Sequence, residues 1–219
     1  MAKPRVWMIL GCILLALGFY HQPWYTHETA GFTMHAFDLA EFASLHPAVR
    51  SSSPPMLTSF LLRVPLLMLV VALAVLANGW HDPRMRWIVR GAAVVLALRF
   101  VPPSDFFTGA SADPNYRQMA LLTGLGFATL PLSLLVARVP VRWQRWLMAV
   151  GLVTGVVTGW MGLSRTDTLM SNFEIDVAIG YGITGFTVVS AIAIIAALWP
   201  ESGVASLRRA AQRSPSPAA

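Results

Sequence analysis

Histidine and acidic side chains are concentrated between residues 21 and 55, where they could bind a metal ion. Four of the five histidines lie there with three carboxylates: His21, His27, His35, His46, Glu28, Asp38 and Glu41. Imidazole and carboxylate groups both bind divalent transition metals. His35 and Asp38 would be neighbours on a helix surface, and His27 or Glu28 could fold back as a third ligand. The candidate metal ligands are therefore His27, His35 and Asp38.

Spacing weakens the metal hypothesis. The sequence has no HExxH or CxxC motif, which are the spacings typical of metal sites. Eleven residues separate His35 from His46, so a helix would place them roughly 16 Å apart, too far to share one ion. The favoured interpretation is an acidic loop whose histidines are solvated or make contacts at helix ends. The sequence thus predicts neither a metal nor any other cofactor.

Arg63 and Arg99 lie inside apolar segments, which is unusual for a charged residue. A charge at membrane depth costs about 2.5–3.5 kcal/mol on insertion scales and commonly serves a function. If both arginines face the interior, they could bind an anionic head group, a carboxylate or a quinone oxygen. Both are therefore candidate anion- or lipid-binding residues. The favoured alternative is structural, because each lies within two turns of a segment end and could reach the interface or pair with an acidic residue.

Three glycines recur at four-residue spacing in one apolar segment: Gly151, Gly155 and Gly159. Small residues on one face of a helix let two backbones approach closely. The spacing therefore predicts a helix-packing face. The partner is either another helix of this chain or a second subunit.

The elements that position these residues are long apolar segments. Hydrophobic residues make up 56% of the 219 residues and charged residues 12%, against about 25% charged in an ordinary soluble domain. A membrane-spanning helix needs about 20 mostly apolar residues. Six segments approach this length: 5–20, 56–77, 85–101, 119–137, 146–163 and 177–199. The sequence predicts an all-α polytopic membrane protein, with residues 1–200 forming one bundle of six transmembrane helices.

Charge is distributed by side of the membrane. Arginines cluster in one set of connections, near residues 84 and 142, and acidic residues cluster in the other set. Because cytoplasmic loops retain Lys and Arg, both termini are predicted to be cytoplasmic. The longer connection, 21–55, is then extracytoplasmic and contains a possible interfacial helix at 33–45, with Thr33 available as its N-cap. Residues 201–219 are predicted to form a disordered basic tail.

The two ends and the net charge allow further inferences. No small-residue cleavage site follows Tyr20, so the first apolar segment is predicted to be an uncleaved helix. The net charge of +6 comes from residues at the ends of apolar segments, which favours a membrane surface over nucleic acid. Arginine-rich, lysine-poor usage is compatible with a GC-rich prokaryotic genome. We therefore expect a multi-pass protein of a prokaryotic plasma membrane.

Three functions are compatible with these features. The apolar segments hold no Asp, Glu or His in their middle, where ion-coupled transporters normally need one, and neither a P-loop nor a GxSxG motif occurs. A non-catalytic integral subunit that packs with other membrane proteins in a larger complex is favoured over an enzyme. The alternatives are the permease of a transporter energised by a separate ATPase and a metal-dependent enzyme at the outer face. The expected partners are membrane lipid and other integral membrane subunits.

Overall fold

The computed structural model describes residues 4–27, 33–172 and 177–200, most of them helical. The helices are α1 (Pro4–Tyr20), α2 (Ala36–Leu45), α3 (Pro47–Arg50), α4 (Leu57–Leu76), α5 (Pro83–Ala97), α6 (Asp105–Thr108), α7 (Pro114–Val136), α8 (Val141–Ser171) and α9 (Tyr181–Leu198). Single 3-10 turns extend α4 over Ala77–Gly79 and α5 over Leu98–Phe100. Three short strands are β1 (Pro23–Thr26), β2 (Thr33–His35) and β3 (Ala178–Ile179). The tail predicted at 201–219 lies outside the described residues.

Within the described ranges, four helices are long and apolar enough to cross a membrane: α4 with its 3-10 turn, α7, α8 and α9. Their length and composition fit a multi-pass membrane protein. Helix α1 is also apolar but has 17 residues, and α5 has 15. The mainly helical fold predicted from the sequence is therefore confirmed, with a small three-stranded sheet added to it, and the four apolar helices fit the predicted multi-pass membrane protein.

Helix α4 is the centre of the bundle. It packs against α1, α2, α5, α7 and α8, while α9 packs against α1 and α8. Of the residues in the most apolar 18-residue stretch of α4 with its 3-10 turn, 83% are buried inside the protein. The corresponding share in α7 is only 22%. Helix α7 therefore lies at the periphery, and most of its apolar surface faces outward.

The two ends of the bundle differ in construction. At one end, named the sheet end here, the strands form an antiparallel sheet in the order β2-β1-β3. The buried hydroxyl of Tyr25 in β1 donates to the Leu163 carbonyl of α8 at 2.8 Å, which ties the sheet to the bundle. At the opposite end, named the basic end, the Trp7 and Trp80 rings meet edge to face with centroids 5.8 Å apart.

Several element boundaries differ from the sequence-based expectation, and two of them lie at the sheet end. The helix expected at 33–45 begins at Ala36 with His35 as its N-cap, because Thr33–His35 pairs with β1 instead. Helix α8 continues beyond residue 163 to Ser171, through part of the connection expected at 164–176. Its polar extension is satisfied locally, since Thr166 donates to the Gly162 carbonyl at 2.8 Å and Arg165 to the Thr58 hydroxyl at 3.3 Å.

Candidate functional site

Arg63 is completely buried near the start of α4 and is held by three side chains from two other helices. Its Nη1 donates to Asn115 Oδ1 at 2.7 Å and to Gln118 Oε1 at 2.9 Å. Its Nη2 donates to Glu41 Oε1 at 2.7 Å, forming an ion pair. The guanidinium has a planar fork of donors that suits such simultaneous contacts. Arg63 therefore joins α2, α4 and α7 at one point, and we name this group the arginine clamp.

The clamp also supports the first turn of α4. Gln118 Nε2 donates to the Met56 carbonyl at 2.9 Å. Met56 has a left-handed backbone, with φ of 59°, which is uncommon for a residue other than glycine. Its backbone N–H donates to the Val49 carbonyl of α3 at 2.9 Å. The same polar network thus holds both the buried charge and the sharp entry into α4.

A second ion pair joins α3 to the start of α7. Arg50 Nη2 of α3 donates to Asp113 Oδ2 at 2.6 Å, and Asp113 is the N-cap of α7. Burial alone would raise the pKa of Asp113, but the Arg50 contact and the backbone N–H groups of Asn115 and Tyr116 lower it overall. Helices α2 and α3 are therefore each tied to the start of α7.

Arg99 occupies a different environment from Arg63, although both guanidinium groups lie over the Phe37 ring. The Arg99 Cζ atom is 4.6 Å from the ring centroid and that of Arg63 is 6.0 Å from it. Arg99 is exposed on the surface of the bundle. The structure places the two candidate arginines around one aromatic ring, with Arg63 engaged by protein groups and Arg99 at the surface.

Two of the three candidate metal ligands, His35 and Asp38, are in contact with each other. His35 Nε2 and Asp38 Oδ2 are 2.9 Å apart, and the His21 ring meets the His35 ring edge to face at 5.5 Å. His27 follows β1, and Glu28 lies outside the described residues. In the part of the chain that the structure describes, no three His, Cys, Asp or Glu side chains are grouped to hold one metal ion. His35 serves instead as the N-cap of α2.

We expect the protein to lose stability as the pH falls below about 6.5, and His21 to contribute to that loss. Burial lowers the pKa of His21, and the nearby His35 and Arg99 lower it further, against a smaller opposing effect of Asp38. The unfolded chain then takes up a proton near the ordinary pKa of about 6.5, before the folded chain does. The contribution is intact above that pH and is lost progressively below it.

Thermal unfolding in detergent at pH 7.5 and pH 5.5 measures this effect. The His21→Asn variant should show a smaller difference between the two pH values than the parent chain. His81→Asn, at the basic end, is the matched control and should keep the parent's pH dependence. An identical pH dependence in the parent chain and in His21→Asn would refute the assignment.

The three candidate packing glycines face α4 within the chain. A Cβ atom on Gly155 would lie 3.3 Å from the Met68 Cβ and 3.4 Å from the Pro65 Cα, and one on Gly159 would lie 3.0 Å from the Trp24 ring. The Met68 sulfur is 3.8 Å from the corresponding position on Gly151. Their place in the structure is therefore an internal helix contact.

The partners of Arg63 on α7 were not identified from the sequence. Asn115 and Gln118 fall in a stretch interpreted as a loop, whereas the structure starts α7 at Pro114. The available signal was their three-residue spacing, which places two amides on one face of a helix. The oxygens of such a pair can both accept from one arginine of a neighbouring helix, as they do from Arg63.

Comparison with known proteins gives no relative that could assign this site: the chain matches no protein-family model, no curated protein and no solved structure.

Proposed function

We propose that this protein is a non-catalytic integral membrane subunit that packs with other membrane proteins in a larger complex. It would cross a prokaryotic plasma membrane six times, with both termini in the cytoplasm and the sheet end outside. The arginine-rich connections at the basic end support this orientation, because Lys and Arg are retained in cytoplasmic loops.

The path of α5 supports six spans rather than four. Its first half lies at the basic end, where Arg86 Nε donates to the Trp80 carbonyl at 2.6 Å and Arg90 Nη2 to Asn78 Oδ1 at 2.9 Å. Its 3-10 extension reaches the sheet end, where Arg99 contacts Phe37. The helix therefore runs beside α4 from the level of Asn78 to the level of Arg63, whose guanidinium lies over the same Phe37 ring. Helix α1 likewise runs from the Trp7–Trp80 contact to Tyr20, whose hydroxyl donates to the Leu62 carbonyl.

The observation that carries the proposal is that Arg63 is buried and hydrogen-bonded to other helices of the same chain. A permease that used this arginine for its substrate would need the guanidinium accessible and its surroundings able to open. Arg63 is fully buried instead, and three of its hydrogen bonds go to side chains of α2 and α7. Separating a buried charge from its partners is strongly destabilising. The pairing of Arg63 therefore favours a fixed arrangement of α2, α4 and α7 over one that opens for a substrate. The arrangement supports a structural role at this end.

The periphery offers a surface on which a partner helix could pack. Ala120, Gly124 and Ala128 follow one another at four-residue spacing on α7, and a Cβ atom on Gly124 would meet nothing within 4 Å. Gly126, in contrast, faces inward, where a Cβ atom would lie 2.9 Å from the Cβ of Ala97. Because small residues allow close helix approach in lipid, we place the docking face on the outward side of α7.

Co-purification from native membranes in mild detergent tests this function. The parent chain should carry at least one integral membrane protein in fixed stoichiometry. Gly124→Leu should lose that partner while being at least as stable as the parent chain, since a Cβ atom there meets nothing within 4 Å and leucine is the better helix former. Gly18→Leu is the matched control, because Gly18 on α1 is equally open, and it should retain the partner.

A parent chain that purifies alone, with no stoichiometric partner, would overturn the proposal. A Gly124→Leu variant that keeps its partner would instead remove α7 as the docking face.

A further inference from the structure

A cavity of about 320 Å³ opens at the basic end between α1, α4 and α8. Basic and amide side chains form one part of its lining: Arg5, His81, Arg145, Asn78 and Gln144. Another part is apolar and comprises Val6, Ile9, Val75, Leu76 and Met148. A site lined by both polar donors and apolar side chains suits a ligand that is anionic at one end and apolar at the other.

Two amides at this cavity are engaged in hydrogen bonds, and one arginine nitrogen has no partner among the described residues. Asn78 and Gln144 are engaged, since Asn78 Nδ2 donates to the Ser133 carbonyl and Gln144 Nε2 to the Val139 carbonyl. Arg5 Nη1 is buried and has no hydrogen-bond partner among the described residues. A buried donor of a charged group without a partner is costly. A ligand anion at this position would satisfy it.

The first turn of α8 adds to the positive potential. Val141, Gln144 and Arg145 of this turn line the cavity, and no side chain caps the helix at Pro140. The N-terminus of a helix carries partial positive charge and presents free N–H groups. Together with Arg5 and Arg145, this end of α8 favours a phosphate at the polar part of the cavity.

A second space shows where an apolar portion would lie. A groove of about 730 Å³ between α1 and α9 shares Arg5 with the cavity. Its other lining is mostly apolar: Pro4, Met8, Ile192, Ile195, Ala196 and Trp199. Ile195 and Trp199 are exposed on the side of the bundle, so an acyl chain in the groove would stay continuous with the surrounding lipid.

We infer that the basic end binds one anionic phospholipid. Its phosphate contacts Arg5 and Arg145, and an acyl chain follows the groove between α1 and α9. Basic sites between helices at the cytoplasmic side of a membrane have the chemistry that recognises anionic head groups. This site is separate from the arginine clamp and does not depend on the docking face of α7.

Native mass spectrometry of the full chain, delipidated in detergent, tests the inference. Dioleoyl phosphatidylglycerol is compared with dioleoyl phosphatidylcholine, which has the same acyl chains and no net charge. One phosphatidylglycerol should bind in preference to phosphatidylcholine. Arg5→Gln and Arg145→Gln should each weaken that binding about tenfold, the effect of losing one charge-assisted hydrogen bond. Thermal unfolding of each variant verifies that it is folded.

Matched variants separate the phospholipid from a free anion. Arg142→Gln removes an exposed arginine of the same helix turn whose guanidinium lies over Trp143, and it should leave binding unchanged. Ile195→Trp obstructs the groove and should weaken phosphatidylglycerol binding. Inorganic phosphate should not displace the lipid at equal concentration.

Three results would overturn the inference. They are equal binding of the two lipids, an equal loss in Arg142→Gln, and displacement of the lipid by inorganic phosphate. The last would assign the cavity to a free anion.

Discussion

Replacing Arg63 by methionine should lower the free energy of unfolding by about 3 kcal/mol, the low end of the range for breaking a buried ion pair. The low end applies because the Glu41 side chain remains 40% exposed and is partly solvated. Methionine keeps the length of the apolar stem but leaves the Glu41 carboxylate and the amide oxygens of Asn115 and Gln118 without their donor. Reversible unfolding in mixed micelles, monitored by helical circular dichroism, measures the change.

Arg99→Met is the matched control for Arg63→Met. Both remove an arginine over the Phe37 ring, but Arg99 is exposed. Its loss should cost about 0.5–1 kcal/mol, the value of an exposed cation–π contact. A double-mutant cycle with Glu41→Gln should show coupling between Arg63 and Glu41. Equal losses for the two arginines would contradict the assignment of Arg63 as the buried clamp.

The Gly182→Ala variant should be destabilised by about 3 kcal/mol, the upper part of the usual range for overpacking. A Cβ atom at this position in the first turn of α9 would lie 2.6 Å from the Gln22 carbonyl oxygen and 2.7 Å from that of Pro23. Backbone atoms cannot move aside as a flexible side chain does, so α9 must shift away from β1. Thermal unfolding in detergent, together with the folded yield after extraction, measures the effect.

Gly18→Ala is the matched control for Gly182→Ala, because the same substitution at this position should not destabilise the protein. A Cβ atom on Gly18 would meet nothing within 4 Å, and alanine is the better helix former by about 1 kcal/mol. This variant should be as stable as the parent chain or more stable. A Gly182→Ala protein that unfolds like the parent would show that α9 does not approach β1 as closely as described.

Hydropathy was sufficient to predict the long helices but not their polar ends. Helix α4 follows the apolar segment 56–77 closely, because its ends coincide with a change in composition. Helix α8 extends beyond its apolar segment, because Arg165 is hydrogen-bonded to α4 and Thr166 to a carbonyl of α8 itself. A hydropathy profile reports where lipid contact ends. It does not report where the backbone hydrogen bonds of a helix end.

The arginine clamp shows why sites formed by distant segments were harder to predict. The sequence indicated that Arg63 is unusual and that acidic residues lie in the preceding connection. It gave no means of choosing Glu41, since the choice depends on how α2 packs against α4. The sheet at the same end was not predicted, for a similar reason. Strands of two to four residues form through pairing between distant segments rather than through local preference.

Cysteine labelling in intact cells tests the central claim, a bundle that crosses the membrane with its sheet end outside, most directly. Single cysteines are introduced by Ser111→Cys before α7 and by Arg138→Cys after α7, in a chain whose buried Cys12 is replaced by serine. A membrane-impermeant maleimide should label position 111 in intact cells and position 138 only after permeabilisation. Labelling of position 138 from outside, or equal labelling of both positions in intact cells, would contradict the account.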